Sequence, residues 1–378
     1  MSDTLSTLGF STPAMDEIFS PGSLVERMAR FEAALALALA DTGLAPVEHA
    51  HAIEVACNEP FAEPEAILAT TWSSGTPVIA LVEAVKQRLS DEEERGWVHH
   101  GATSQDVVDT ANMVLAREAL EVVVGSLDRI ALLLRDLVVE HRDQPQIGRT
   151  FLQNAIPSTF GMRAATWLAP VLDRIVDLRT VAKTLPVQLG GPVGNLAAYG
   201  DRGPEVVAAI ARRLQLRDPL ISWHTDRSVV WKLAFSVEAV AKTLEKIATD
   251  VSFLAAGEVG EISTRSGGSS SMPGKANPID AIRALACASV CRGSAGLITN
   301  GYPHELDRGL GSWHAEWVGI PLMFRSAGAT CDATESMLES MIVHGRTMTD
   351  RVEAASPHAG DLAGQEQIDV VLKRFDAR

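Results

Sequence analysis

The sequence is short of cysteine, aromatic rings and basic charge, and each shortage closes off a class of function. Its four cysteines are Cys57, Cys287, Cys291 and Cys331. Apart from the helical i,i+4 pair of Cys287 and Cys291 they lie far from one another, and no histidine stands at ligand spacing. Neither a disulfide framework nor a zinc site is expected, and a reducing cytosol fits this usage. Lysine and arginine total 33 against 48 acidic residues, a formal charge of −15. Such a field repels nucleic acid and anionic membranes, so neither is expected as a partner, and an anionic ligand must be held by local cations. Only 2 tyrosines occur in 378 residues, with 7 tryptophans and 10 phenylalanines. The chain is rich instead in Ala, Leu and Val, which favours helix. No basic n-region with an apolar core opens the chain, so no signal peptide is expected. The apolar stretch from Val122 to Val139 contains Asp128, Arg129, Arg135 and Asp136, which a bilayer centre disfavours; it reads as a buried helix of a soluble bundle.

What is present is long helical periodicity. From Val230 the apolar residues step by three and four through Leu233, Val237, Val240, Leu244, Ile247, Val251 and Leu254, a coiled-coil-like seam. A second long helix is expected from about Val107 to His141, with Val123, Leu127, Ile130, Leu134 and Leu137 on its seam. At 1.5 Å per residue that is a rod of about 50 Å. Further helices are expected over Ser158 to Leu185, from an Asn277 cap and Pro278 first turn to about Thr299, and over Ala315 to Val343. A shorter amphipathic helix spans Ser20 to Leu44. The fold class is therefore all-α: an N-terminal helical domain over 1–105, a central long-helix bundle over 106–345 and a short tail over 346–378, loose or briefly helical. No strand-and-turn rhythm is visible, and Gln188 to Gly203 reads as an irregular excursion. Rods this apolar are expected to pack against other copies of the chain.

The chemistry is expected where the rods are interrupted. Three polar, glycine-bearing segments stand there: His99-His100-Gly101-Ala102-Thr103-Ser104-Gln105-Asp106, Gly148-Arg149-Thr150-Phe151-Leu152-Gln153, and the run from Arg265 to Pro278. The third packs Ser269, Ser270 and Ser271 with a lysine and an amide among glycines that permit a mobile flap, and it leads into a helix N-terminus that favours anions.

Gly268-Ser269-Ser270-Ser271-Met272-Pro273-Gly274-Lys275-Ala276-Asn277-Pro278 resembles the GSSxMPxKxNP signature of the fumarase/aspartase superfamily. Within it the likeness is to bacterial carboxymuconate cycloisomerases, supported by the His99 to Asp106 and Gly148 to Gln153 segments, by Trp223-His224-Thr225-Asp226-Arg227, and by Asp307-Arg308 with Trp313-His314-Ala315-Glu316-Trp317. The resemblance implies a cofactor-free, metal-free enzyme acting on a small polycarboxylate, assembled as a homotetramer whose active sites draw loops from several subunits. By matched position Ser269 is implied as the catalytic base, with His99 and Lys275 beside it. Thr103, Ser104, Thr150, Gln153 and Asn277 are implied as substrate binders, and Arg227 and Arg308 as further anion contacts. His100 reads as a bystander.

One departure discriminates between reactions. Superfamily lyases that release an amine or hydroxide usually carry histidine where this chain has Phe151, which transfers no proton. A cycloisomerase needs none there, because the group it adds or expels is the substrate's own carboxylate, a stable anion with a reference pKa of about 4. The alternative is that Phe151 is a packed core aromatic and that another group, such as His99, supplies the proton. The flap also has Gly274 and Ala276 where cycloisomerases usually carry histidine and arginine, removing a cation. The expected activity is lactone-forming cycloisomerisation of 3-carboxy-cis,cis-muconate. The alternatives are a lyase expelling a small anion or amine from a succinate-like acid, or an inactive structural relative.

Overall fold

The computed structural model describes residues 8–268, 271–272, 274–301, 304–355 and 364–378. Its N-terminal part is built from α1 (Pro13–Ile18), α2 (Pro21–Asp41), α3 (Val47–Asn58), α4 (Pro64–Ala69), α5 (Thr71–Ser74), α6 (Val78–Gln87) and α7 (Glu92–Trp97). Ser20 caps α2 by accepting the Ser23 N–H at 3.1 Å, and Pro21 opens the first turn. Met28, Phe31, Leu35 and Leu39 form its buried stripe.

The central part holds α8 (Ser104–Glu140), α9 (Phe160–Ala182), α10 (Gly203–Leu214), α11 (Ser228–Leu254), α12 (Ile279–Thr299) and α13 (Ser312–Glu339). With 37 residues, α8 is a rod of about 55 Å. All eight apolar residues of the α11 seam are buried in one core. On α8 the seam holds through Val123, Leu127, Ile130 and Leu134, after which Val138 is buried and Leu137 only half so. A straight helix of 3.6 residues per turn drifts away from a 3.5-residue repeat, which accounts for the change.

The helices alternate in direction. Phe160 N–H donates to the Gln144 carbonyl at 2.9 Å, so α9 starts where α8 stops. Arg227, just before α11, pairs with Asp109 near the start of α8, and Trp313 and Glu316 at the start of α13 join them. The loops therefore fall at two ends: 99–103, 188–200, 222–227 and 304–311 at the first, and 145–159, 256–268, 274–278 and 340–344 at the far end. Residues 188–200 are irregular as expected, closing on a 3-10 turn at Ala197–Arg202.

Three local features differ from expectation. The Gly148 to Gln153 segment is the turn of an antiparallel hairpin, β1 (Pro145–Thr150) and β2 (Gln153–Thr159), with a register irregularity between Ile147 and Arg149. Gly148 sits in that irregularity, where a Cβ would lie 2.6 Å from the Ile156 carbonyl oxygen. Asn277 does not cap a helix. It belongs to β5 (Asn277–Pro278), pairs with Gly267 of β4 (Ser266–Gly267), and α12 begins only at Ile279. The ladder uses the residue that a cap would have taken. Finally, β3 (Ile262–Ser263) pairs with β6 (Ile342–Val343), and the tail forms two helices, α14 (Gly345–Ala355) and α15 (Gln365–Asp376). Ile368 and Phe375 join the bundle core, and Arg142 holds Asp369 at 2.7 Å.

Candidate active site

At the first end, four of the expected residues come together at the start of α8. Thr103 is its N-cap, in a capping box with Asp106, whose Oδ2 accepts the Thr103 N–H at 2.9 Å. Asp106 is buried and does more than cap. It accepts the N–H groups of Gly190 and Gly191, each at 3.0 Å, and its Oδ1 lies 2.7 Å from His224 Nε2. One carboxylate thus ties the His99 to Ser104 loop to the 188–200 loop and to the Trp223 to Arg227 segment. Arg308 reaches over from the 304–311 loop and donates to Thr103 Oγ1, with its guanidinium 5.9 Å from the Trp313 ring. Ser104 is half-buried in the first turn, where unpaired helix N–H groups favour a carboxylate.

His99 adopts φ of 61°, the left-handed region that few non-glycine residues occupy. Its Nδ1 lies 2.6 Å from Oε1 of Glu32, a buried carboxylate on α2. Burial of the ring disfavours its charged form, but the charge and hydrogen bond of Glu32, helped by Asp106 and opposed by Lys86, raise the imidazole above its ordinary range.

The expectation for Arg227 is corrected. It is 1% exposed, bidentate to Asp109 at 2.7 and 2.9 Å, and bonded to Glu316 through Nε at 3.1 Å and through Nη2. Its donors are committed to two carboxylates of its own chain and its ring-side contact to Trp223, so this arginine braces the site from below. Trp313 Nε1 completes the cluster at 2.9 Å from Asp109, and burial pushes the Glu316 carboxyl up against the pull of Arg227.

The remaining expected residues stand at the far end. Thr150 and Gln153 face each other at the hairpin tip, both exposed. Between them Phe151 and Leu152 have φ of 50° and 63°, and Phe151 is 98% exposed, so it is not a core aromatic of this chain. The hairpin is anchored below its tip: Arg149 forms a two-pronged pair with buried Glu261, whose Oε2 also accepts Gln146 Nε2 at 2.8 Å. Lys275 is exposed, and Asn277 Nδ2 donates to the Gly268 carbonyl at 3.4 Å. Arg265 and Asp280 clamp the stem of this segment with contacts of 3.1 and 2.5 Å. Ser269 lies outside the described residues.

The structure therefore brings His99, Thr103, Ser104 and Arg308 together at one end of α8, and leaves Thr150 and Gln153 on the hairpin and Lys275 and Asn277 on the segment before α12, both at the opposite end. The sequence reading missed Glu32, the bracing role of Asp106, and the anchors Arg149, Glu261, Arg265 and Asp280. Glu32 carried a usable signal, since it follows Met28 by four residues and so puts a carboxylate on the apolar stripe of α2.

Residues 9–292 match a protein-family model described as Lyase. The chain is 35% identical to a 3-carboxy-cis,cis-muconate cycloisomerase of Pseudomonas aeruginosa over 348 residues, covering 90% of this chain and 75% of that protein. It is 36% identical to the cycloisomerase of Bradyrhizobium diazoefficiens, covering 91% and 78%. The crystal structure of the 3-carboxy-cis,cis-muconate lactonizing enzyme from Pseudomonas putida superposes with a TM-score of 0.87 at 31% identity, covering 98% of this chain and 86% of that one. On this likeness in sequence and fold, the chain belongs to the lyase family of the fumarase/aspartase superfamily.

Proposed function

We propose that this protein is a cytosolic homotetrameric cycloisomerase that closes 3-carboxy-cis,cis-muconate to 4-carboxymuconolactone, in the catabolism of aromatic compounds. The observation that carries the reading is the hairpin tip. Thr150 and Gln153 flank Phe151, so the position where a proton-handling residue would serve an amine or hydroxide leaving group is apolar and fully presented. The likeness to curated cycloisomerases supports the same choice.

In this reaction a carboxylate oxygen of the substrate adds to one alkene carbon. The C–O bond forms, and the π electron pair moves onto the neighbouring carbon and into its attached carboxyl group as an aci-carboxylate. Ser269 then delivers a proton to that carbon, closing the lactone, and in reverse removes it. The first-turn N–H of Ser104, with Lys275, stabilises the extra charge on the aci-carboxylate, and Asn277 and Arg308 orient the other carboxylates. A serine hydroxyl is a weak base, so the closed flap has to stabilise its anion.

The sites are composite. Ser104 and Glu140 bound a helix about 55 Å long, so the two groups of residues in one chain cannot touch a single small substrate. A site that uses both draws its first-end loop from one copy and its far-end loops from others, and Phe151, Leu152 and Ile156 then have a covered place to go.

Purified protein mixed with 3-carboxy-cis,cis-muconate is expected to abolish the diene absorbance in the ultraviolet and yield the lactone. No change with this substrate, together with turnover of a substituted succinate, replaces the cycloisomerase reading with the eliminating lyase.

A further inference from the structure

His99 and Glu32 form a pair whose chemistry the fold has narrowed to one arrangement. Glu32 sits on the buried stripe of α2, its Oε1 2.6 Å from His99 Nδ1, while Oε2 has no hydrogen-bond partner among the described residues. A buried carboxylate with a single donor is costly unless that donor also carries the opposite charge. The imidazole nitrogen bonded to Glu32 is thus a donor, and among the described residues Nε2 makes no hydrogen bond and the side chain keeps about a fifth of its surface exposed. The ring cannot easily turn away. His99 is held at positive φ, and two residues on, Gly101 has φ of 74° where a Cβ would lie 2.5 Å from Ala198 Cβ and 2.8 Å from the Tyr199 ring. The Tyr199 hydroxyl donates to the His100 carbonyl at 2.9 Å and pins the same loop.

We propose that Glu32 is a positioning residue that keeps His99 as an imidazolium, with its Nε2–H offered to a carboxylate of the substrate. This rests on the polycarboxylate reading above and adds to it, beside Lys275 and Arg308, a third cation, fixed at the first end, that does not depend on the flap. The charged groups facing the ring are Glu32 from α2, Asp106 from α8 and Lys86 from α6. Cys57 is pushed up by burial and then by the charge of Glu32, and Tyr199 by burial and then by the charges of Asp106 and Glu32, so both stay neutral. Glu32 and Asp106 favour the imidazolium, while burial of the ring and Lys86 oppose it. A histidine raised in this way keeps its charge to higher pH than a free imidazole, and the cation is lost as pH rises through its raised value.

The test is an NMR titration of the full-length protein labelled at histidine, with the His99 signal assigned by its disappearance in His99→Asn. His99 is expected to titrate above the ordinary value of about 6.5, and Glu32→Gln is expected to lower that midpoint by at least about one unit. In the same variant kcat/KM falls, more through KM than kcat, by up to about tenfold at pH well above both midpoints, and recovers towards pH 6, because in that range one unit of pKa changes the charged fraction about tenfold. A midpoint at or below the ordinary value in the wild type, or one unmoved by Glu32→Gln, overturns the proposal. The titration needs no turnover, so it decides the matter whether or not carboxymuconate is the substrate. Should Glu32→Gln fail to fold, the wild-type midpoint alone still decides.

Discussion

The two ends of the bundle are built on opposite plans. At the first end the functional loop is pinned from several sides: Asp106 gathers donors from three segments, Arg227 joins α8 to α13 through Asp109 and Glu316, and Glu32 holds His99. Among the described residues of the far end the stems are held by ion pairs, Arg149 with Glu261 and Arg265 with Asp280, while Phe151 and Lys275 are exposed. On the proposed function, the first end is a preorganised receptor for anions, and the far end offers its exposed side chains to another copy. The difference teaches that, on this reading, the densest network of ion pairs and hydrogen bonds lies where charge must wait in place.

This comparison can be broken or sharpened by experiment. The largest effect is expected from the proposed base: Ser269→Ala lowers kcat at least about a thousandfold in a steady-state assay with an unchanged circular dichroism spectrum. Appreciable retained turnover refutes the serine as base. Next, equal amounts of Ser269→Ala and His99→Asn, each weak alone, are dissociated and reassociated together. Composite sites predict recovery of about a quarter of wild-type activity, since chance puts two intact halves together about that often; no recovery returns both halves to one chain. Arg227→Met tests the bracing role. It leaves two buried carboxylates without their cation and is expected to cost about 3–5 kcal/mol in urea unfolding. A stable variant with raised KM instead restores Arg227 as a substrate contact. The smallest effect on stability belongs to Lys275→Ala, within about 0.5 kcal/mol of wild type, with the change appearing in KM.

Much of the architecture was legible because long rods announce themselves. The step of threes and fours from Val230 to Leu254 required a buried seam, and the amphipathic stretch from Ser20 to Leu44 is met by α2 over Pro21–Asp41. The hairpin at 145–159 was not legible. Its strands are short, Pro145 and Pro157 interrupt them, and its turn is made by Phe151 and Leu152 at positive φ rather than by glycine or asparagine. Asn277 misled for a related reason, since Asn-Pro signals a helix cap and a strand end alike until the partner strand is known. Of the site, the motifs located the loops, but burial sorted their cations. Arg227 and Arg308 look equivalent as letters, and only packing shows that the first is spent inside the chain while the second bonds to the Thr103 side chain.

The length of α8 has a consequence for how the chain tolerates change. A helix that carries one half-site at each end acts as a ruler. Deleting one residue from its middle would draw the ends about 1.5 Å closer and rotate one against the other by about 100°. Thr103 and Arg149, at either end of that ruler, would then aim at different partners. Insertions and deletions are therefore expected to be absorbed in the exposed connections, such as 59–63 and 215–221, while the interior of α8 keeps its residue count.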